Sequence, residues 1–520
     1  MKKIATLVLA AGLVLSAVTG AQAIDFKAKG EWIMSFDLGE GGKFNTNRGW
    51  GDNKQDSFEA SQRVRLQLDA VASEALSGTV YFEIGQQYWG KSSGKDGGAA
   101  LGADSNEVVK VKRAYIDWMP PATDLKVRMG IQGISLPSFT TGSQVLSHDV
   151  GGITASYKFT DNVALTALWA RPYNDNFGGY DAPEPSNRAG SYRTNYMDNM
   201  DVFALLLPLT FDGIKVTPWA AYAAMGPNTF RSGQHNYFGN KVGDSYFPLA
   251  GMFPAGGALH RNGDNANGEI PLGSYSDAWW AGLTGDVTMF DPFRFAWDFT
   301  YGSVKNYDEG RLNRSGWILS ALFEYKMDWA IPGIVAWYSS GDDSNPANGS
   351  ERLPSFGNDS TNQFSTFAFR GDPYIARDGV IGRSMAGTWG IGARLKDMSF
   401  VEDLKHTFRV NFMGGTNAPK MGRKLNEFHA GRLYGGGHIY ANEGALGMES
   451  MYLTTKDQAL EIGVTNTYKM YENFLINLEA DYIAMWLDDR ATGVDRISSD
   501  RDNNKVKDAW NVNLSFVYSF

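Results

Sequence analysis

The sequence predicts an all-β protein, a transmembrane antiparallel up-and-down β-barrel of about 18 strands, with 16 as the alternative count. Three observations support this prediction. Apolar and polar residues alternate with a period of two along most of the chain, and short connections alternate with mostly longer ones. After residues 1–23, no apolar run approaches the length of a membrane-spanning helix. A soluble β-sandwich is the alternative, but it does not need outward aromatic bands on so many successive strands.

The clearest strand is the last, residues 509–520. One face carries the large apolar side chains of Trp510, Val512, Leu514, Phe516, Tyr518 and Phe520, and the other is mostly small and polar. Such alternation places every large side chain on one side of a strand. An exposed edge with this face would invite aggregation, so the strand is expected to be paired on both sides, as in a closed barrel.

The same alternation predicts the remaining strands in order. In the first half they lie near 26–37, 63–70, 79–87, 108–118, 123–133, 151–159, 162–171, 199–210 and 213–225. In the second half they lie near 276–289, 292–304, 313–326, 331–340, 387–398, 405–415, 457–469, 472–486 and 508–520. An even strand number leaves both termini on the same side of the membrane.

The connections distinguish the two ends of the barrel. Short links lie at 72–75, 119–122, 160–161, 211–212, 290–291, 327–330, 399–404 and 470–471, whereas 226–275, 341–386 and 416–456 are long. This pattern is typical of outer-membrane barrels, which have short periplasmic turns and long external loops. An aromatic girdle is expected beside the short turns, and the candidates are Trp118, Phe211, Phe290, Met327, Trp329 and Phe400. The tetrapeptide Leu-Pro-Ser-Phe occurs twice, at 136–139 and 353–356, which we interpret as coincidence.

Residues 1–23 have the features of a secretory signal peptide. Two lysines precede an apolar run, and Ala21-Gln22-Ala23 forms a small-residue cleavage site. We therefore expect cleavage after Ala23, a single barrel domain over 24–520, and a location in the outer membrane of a Gram-negative bacterium.

Composition excludes several functional classes. The formal charge of −9 argues against nucleic-acid binding driven by overall charge. The absence of cysteine excludes a disulfide scaffold and a thiolate metal site. The histidines are scattered and form no ligand pair, so zinc is not expected. No other cofactor is expected. Three acidic stretches, 264–269, 342–351 and 488–502, are candidates for calcium, with solvated loop charge as the plainer interpretation.

Charged residues on the polar faces are candidates for the lining of a pore. The basic candidates are Lys27, Lys29, Arg63, Arg65, Arg113, Arg128, Arg394, Lys396 and Arg409, and the acidic ones are Glu83, Asp298, Glu461, Glu479 and Asp481. Rows of guanidinium groups attract anions and align dipolar solutes against opposing carboxylates. Ordinary water-facing residues or salt bridges in the wall are the alternative for any single member.

Three of these regions resemble a known family. Residues 61–66 (Ser-Gln-Arg-Val-Arg-Leu), 111–116 (Val-Lys-Arg-Ala-Tyr-Ile) and 126–130 (Lys-Val-Arg-Met-Gly) resemble the arginine-bearing early strands of trimeric general porins. The mature chain is most similar to the homotrimeric outer-membrane porins of sulfate-reducing bacteria, down to the terminal Phe520.

This resemblance implies a homotrimer in outer-membrane lipid with one channel in each subunit. It also implies insertion by the barrel-assembly machinery, which would recognise the last strand through Trp510, Leu514, Phe516, Tyr518 and Phe520. In general porins the loop after the fifth strand folds inward and carries acidic residues. Its counterpart, 134–150, contains only Asp149, which favours small anions.

The expected function is passive diffusion of small hydrophilic solutes and ions through a water-filled channel, with some preference for small anions and no enzymatic activity. A substrate-selective channel is the nearest alternative. A non-conducting barrel, serving as a scaffold, an adhesin or an outer-membrane hydrolase, is the other. The adjacent Ser147, His148 and Asp149 do not indicate a catalytic triad, because triad members converge in space rather than in sequence.

Overall fold

The computed structural model describes residues 24–40, 57–91, 98–101, 109–174, 199–226, 251–252, 254, 276–306, 310, 313–358, 362–369, 379–429, 451–488 and 508–520. The predicted signal peptide at 1–23, the acidic stretch 264–269 and most of 488–502 lie outside these residues.

The described strands form a closed antiparallel barrel of 18 strands. In the first half they are β1 (Asp25–Glu40), β2 (Ser57–Ser73), β3 (Leu76–Trp89), β4 (Lys110–Trp118), β5 (Lys126–Ser135), β6 (Leu146–Lys158), β7 (Ala164–Asn174), β8 (Asn199–Leu206, continued by Leu209–Phe211) and β9 (Ile214–Met225). In the second half they are β10 (Ser276–Val287), β11 (Phe293–Asn306), β12 (Arg314–Tyr325), β13 (Ile331–Ser339), β14 (Thr388–Val401), β15 (Leu404–Gly415), β16 (Gln458–Tyr471), β17 (Phe474–Trp486) and β18 (Ala509–Ser519). All the predicted strands are confirmed.

Closure occurs between the first and last strands. β1 pairs with β2 on one side and with β18 on the other. The terminal Phe520 continues this ladder, because its backbone N–H donates to Gly30 O at 3.1 Å and its carbonyl accepts from Gly30 N at 2.7 Å. A Cβ on Gly30 would lie 2.5 Å from Cζ of Phe520, so the glycine makes room for the terminal ring.

The two faces of β18 have the environments that their side chains require. Asn511, Asn513 and Ser515 point inward and are buried, whereas Tyr518 is 42% exposed on the outer face. Farther round the barrel, all the predicted girdle residues are exposed, namely Trp118, Phe211, Phe290, Met327, Trp329 and Phe400. The rings of Trp329 and Phe400 stack with centroids 5.8 Å apart. The alternation in sequence therefore produces an apolar outer surface and a mostly polar inner one.

Parts of two connections fold into the barrel and pack against its inner wall. These are 136–145, between β5 and β6, and the described residues 351–358 and 362–369, between β13 and β14. Leu136 N donates to Leu146 O at 3.0 Å, and Phe356 N donates to Val145 O at 2.9 Å. The first copy of Leu-Pro-Ser-Phe therefore begins segment 136–145, and Phe356 of the second copy contacts the end of the same segment. Leu136, Val145 and Phe356 are buried in the apolar cluster that the two connections form with the wall.

One helix, α1 (Pro419–His429), follows β15 within the region predicted as a long loop. Pro419 opens it, at a position where a missing backbone N–H costs no helical hydrogen bond. Among the residues that the structure describes, no helix is long and apolar enough to cross a membrane.

Candidate channel wall

The inner face of β2 and β3 carries paired charges in contact with the lumen. Arg65 lies opposite Glu83 in the strand register. Its Nε is 2.7 Å from Glu83 Oε2, and the two side chains are 25% and 20% exposed. On the opposite face of the same strands, Leu68 and Val80 are 40% and 36% exposed. Alternation therefore assigns Arg65 and Glu83 to the lumen and the apolar residues to the outside.

A second ion pair joins β4 and β5. Arg128 donates from Nε to Asp117 Oδ1 at 2.7 Å and from Nη2 to Asp117 Oδ2 at 2.9 Å. The guanidinium carbon lies 4.1 Å from the centroid of the Tyr115 ring. This bidentate contact and the ring hold the guanidinium plane in one orientation. Arg128 and Asp117 remain 41% and 38% exposed, so the pair is in contact with solvent.

Asp149 binds two cations from β4. Arg113 Nε lies 2.6 Å from Asp149 Oδ1, and Lys112 Nζ lies 2.9 Å from Oδ2. A register shift in the pairing of β3 with β4 lies beside Arg113. β6 already begins at Leu146, so Asp149 belongs to a strand and only 136–145 forms the connection. The lone acid of the predicted loop therefore pairs with Lys112 and Arg113 of the adjoining strand.

The basic residues of β1 and the start of the arginine row are also placed by the structure. Lys27 Nζ lies 3.6 Å from Asp25, and Lys29 Nζ lies 4.0 Å from Asp69, with both lysine side chains 65% exposed. Arg63 lies on β2 opposite Ile33 of β1. These lysines have long, solvated contacts, which stabilise the fold little.

Asp298, predicted as an acid facing the pore, instead anchors the inward segment 136–145. It lies on β11 and accepts hydrogen bonds from Ser138 Oγ at 2.6 Å, Phe139 N at 2.8 Å and Thr140 N at 2.9 Å. Thr140 Oγ1 also contacts the carboxylate. Asp298 is 7% exposed, so its charge is directed at the loop rather than at a passing solute.

The late cluster of charges lies beneath the second inward segment, 362–369. Glu461 Oε1 accepts from the backbone N–H groups of Phe367 at 2.8 Å and Ala368 at 3.0 Å. Arg409 Nε donates to Gln363 O at 3.2 Å. The guanidinium carbon of Arg394 lies 4.0 Å from the centroid of the Phe364 ring. The segment thus covers three of the predicted pore-lining residues.

The acids of β17 belong to the same covered wall. Glu479 and Asp481 are 2% and 7% exposed, and Asp481 Oδ1 accepts from Thr366 Oγ1 at 3.3 Å. Lys396, in contrast, is more exposed and lies 3.8 Å from Asp397 at a register shift of β14. The barrel therefore has an open charged wall on β2–β5 and a loop-covered one on β14–β17.

Sequence reasoning missed a buried network around Asp342. Its Oδ2 accepts from the Tyr452 hydroxyl at 2.7 Å, and its Oδ1 accepts from Ser350 Oγ at 2.5 Å and Glu351 N at 3.1 Å. Burial raises the pKa of Tyr452 well above its usual value, so the hydroxyl remains a donor. The acidic composition of 342–351 was the available signal, and it was interpreted as solvated loop charge, with calcium binding as the alternative. Within the described residues, no three metal-ligating side chains are grouped as a metal site.

Similarities to known proteins are confined to solved structures. OccK9 (OpdG) of Pseudomonas aeruginosa is 11% identical, with 95% of this chain and 98% of that chain covered and a TM-score of 0.48. OccAB3 of Acinetobacter baumannii is 9% identical, with 95% and 99% covered and a TM-score of 0.49. OpdK of P. aeruginosa, solved with vanillate, is 10% identical, with 95% and 98% covered and a TM-score of 0.47. No protein-family profile and no curated protein matches the chain.

Proposed function

We propose that this protein is an outer-membrane porin, a water-filled channel through which small hydrophilic solutes and ions diffuse passively. The observation that best supports the proposal is the presence of two partly exposed ion pairs, Arg65–Glu83 and Arg128–Asp117, on the inner face of a closed barrel. The outer face of the same strands is apolar, with Ile116 49% exposed. A barrel with this number of strands encloses a space wide enough for water unless it is filled.

In the proposed channel, the inward segments 136–145 and 362–369 narrow the water-filled space without closing it. Segment 136–145 is attached to β11 through Asp298, and segment 362–369 lies on β14–β17 through Glu461. The residues of β2–β5 remain partly exposed in their presence. The solute path proposed here therefore runs along β2–β5, and 136–145 sets its width.

Ion selectivity follows from which charges remain available. Arg65, Arg113 and Arg128 each have a carboxylate partner within 2.7 Å, which reduces their long-range field. Lys27 and Lys29 are 65% exposed and have longer contacts, so they retain more of their long-range electric field. We therefore propose a modest preference for small anions, which salt will weaken by screening.

Self-association as a homotrimer is part of the proposal. β2 and β3 carry a polar contact between Gln62 Nε2 and Gln87 Oε1 at 3.0 Å, and the register places Gln62 opposite Met34. A polar pair on a lipid-facing surface is costly, so a protein neighbour would stabilise it. The outward aromatic residues of β18, including Phe516 and Tyr518, would serve as the assembly signal.

Osmotic swelling of liposomes tests the proposal. Liposomes containing the folded protein are expected to swell in small neutral solutes at rates that fall steeply with solute size. Liposomes with heat-denatured protein are the control, and equal rates in the two preparations would reject the porin function. A reversal potential across a KCl gradient then tests ion preference, where a cation-selective value would remove the anion proposal and leave the channel.

A further inference from the structure

A cavity of about 560 Å³ adjoins the open wall near the short connections of β2–β3 and β4–β5. Its polar lining includes Asp117, Arg128, Gln132, Thr154, Ser156 and Thr166. We propose that this cavity is a binding site for neutral, hydroxyl-rich solutes, such as monosaccharides and polyols, on their way through the channel. This inference rests on the proposed porin function and adds a solute class to it.

The cavity is built by strand register rather than by a flexible loop. Asp117 lies opposite Arg128, Arg128 opposite Thr154, and Thr154 opposite Leu168. This row crosses four adjacent strands, β4 to β7, on one face of the sheet. Ile153, the neighbour of Thr154, points the other way and is 38% exposed. A row fixed by the hydrogen bonds of the sheet presents its polar atoms in a constant geometry.

The charges that line the cavity are balanced. Glu74 and Asp117 are acidic, and Lys126 and Arg128 are basic, which gives a formal charge of zero. Such a lining does not strongly favour ions of either sign. Arg128 uses two of its five N–H donors on Asp117, so the remaining donors are available to uncharged oxygen atoms. The cavity thus offers strong hydrogen bonds without a net charge.

The hydroxyl groups match a solute that both donates and accepts hydrogen bonds. Thr154 Oγ1 donates to Gln132 Oε1 at 3.1 Å, and its lone pairs remain available. Ser156 Oγ and Thr166 Oγ1 are 2.8 Å apart, so one of these two hydroxyls keeps its proton for a ligand. A sugar hydroxyl can satisfy both needs, whereas a simple anion only accepts.

Size and shape agree with this assignment. The cavity falls in the range of about 300–1,000 Å³ that small-molecule sites occupy. Ile134, Leu168 and Leu206 supply an apolar part of the lining. One face of a sugar ring carries C–H groups, which would pack against this part while the hydroxyls reach the polar row. The cavity would hold a monosaccharide together with water.

Uptake of labelled glucose by proteoliposomes, measured over a range of concentrations, tests the inference. Wild-type uptake is expected to saturate. The double variant Thr154→Val and Thr166→Val keeps the β-branched shape and removes both hydroxyls. Each lost hydrogen bond of about 1 kcal/mol raises the half-saturating concentration about fivefold. Thr284→Val, which removes a buried hydroxyl elsewhere, is the matched control and is expected to leave that concentration unchanged.

Gluconate, the anionic counterpart of glucose, separates the proposed site from an anion site. Three results would each overturn the inference. Glucose uptake could stay linear with concentration, or Thr284→Val could raise the half-saturating concentration as much as the double variant does. Gluconate uptake could also saturate at a lower concentration than glucose uptake. The KCl conductance of the same preparations is measured in parallel. KCl conductance together with linear glucose uptake would reject the sugar site alone. The absence of KCl conductance would reject the porin function.

Discussion

Ser138 Oγ lies 2.6 Å from Asp298 Oδ2, although 160 residues separate them along the chain. The contact joins the connection after β5 to the wall at β11, and neighbouring backbone N–H groups bind the same carboxylate. A carboxylate that accepts several hydrogen bonds in a buried setting holds its donors strongly. Asp298 therefore fixes the inward position of 136–145.

Asp298→Ala is expected to release this connection from the wall. Each hydrogen bond to a charged group contributes about 1.5–3 kcal/mol, so losing several at once should leave the segment mobile. Single-channel recordings should show a changed mean conductance and more current noise than wild type.

Asp298→Asn is the matched control, because its amide oxygen still accepts from Phe139 N or Thr140 N. The current noise of Asp298→Asn should fall between that of wild type and that of Asp298→Ala. If Asp298→Ala had the same conductance and current noise as wild type, segment 136–145 would keep its position without the carboxylate, which would contradict this prediction.

Glu324 links two arginines from different strands. Its Oε2 lies 2.7 Å from Arg294 Nη1, and its Oε1 lies 2.6 Å from Arg394 Nη2. Arg394 and Glu324 are nearly buried, so removing one partner leaves an uncompensated charge. Glu324→Gln is expected to lower the free energy of unfolding by about 3–5 kcal/mol, measured by urea titration of tryptophan fluorescence in lipid vesicles. A loss below 1 kcal/mol would show that water solvates the two arginines.

Gly316 on β12 provides close approach for the segment after β13. A Cβ at this position would lie 2.5 Å from the backbone N of Leu353, so Gly316→Ala should displace the segment and lower the melting temperature. Gly78→Ala is the control, because a Cβ there meets nothing within 4 Å. Equal melting temperatures for the two variants would contradict the packing described for 351–353.

The carboxyl group of Asp457 makes the free energy of unfolding depend on pH. Burial raises its pKa above the ordinary value of about 3.9, although Thr454 and Asp488 N donate to the carboxylate. A carboxyl group whose pKa is higher in the folded state than in the unfolded state contributes its full stabilisation at pH values below the unfolded-state pKa. This stabilisation is lost as the pH rises through the folded-state pKa. The destabilisation caused by Asp457→Ala should therefore be larger at pH 4 than at pH 7. An equal or larger loss at pH 7, by thermal melting, would contradict this direction.

The strands could be predicted from sequence because alternation is a local property. Residues 509–520 show both faces of β18 within a dozen positions, and burial follows that pattern. The pairing of Arg65 with Glu83 could not be read in the same way, because it depends on the register between β2 and β3. Sequence therefore predicted which residues face inward but not which of them neutralise one another.

The loops were the less predictable part of the chain. Asp298 has the inward parity that the sequence indicated, but its partners lie in 136–145, and no local pattern connects the two. Glu461 was likewise predicted to face water, and the structure covers it with Phe367 and Ala368. Contacts of this range depend on how a loop packs within the closed barrel, which the periodicity of strands does not encode.

Cysteine modification during conductance recording tests the channel and its path together. The natural chain contains no cysteine, so one introduced thiol reports one position. Gln67 shares the inner face of β2 with Arg65, two residues away, and Ile391 is 52% exposed on the outer face of β14. We predict that wild-type protein conducts, and that a water-soluble, bulky thiol reagent reduces the conductance of Gln67→Cys while leaving Ile391→Cys unchanged. Folded protein without conductance would contradict the central claim, and an effect at Ile391 alone would contradict the assignment of inner and outer faces.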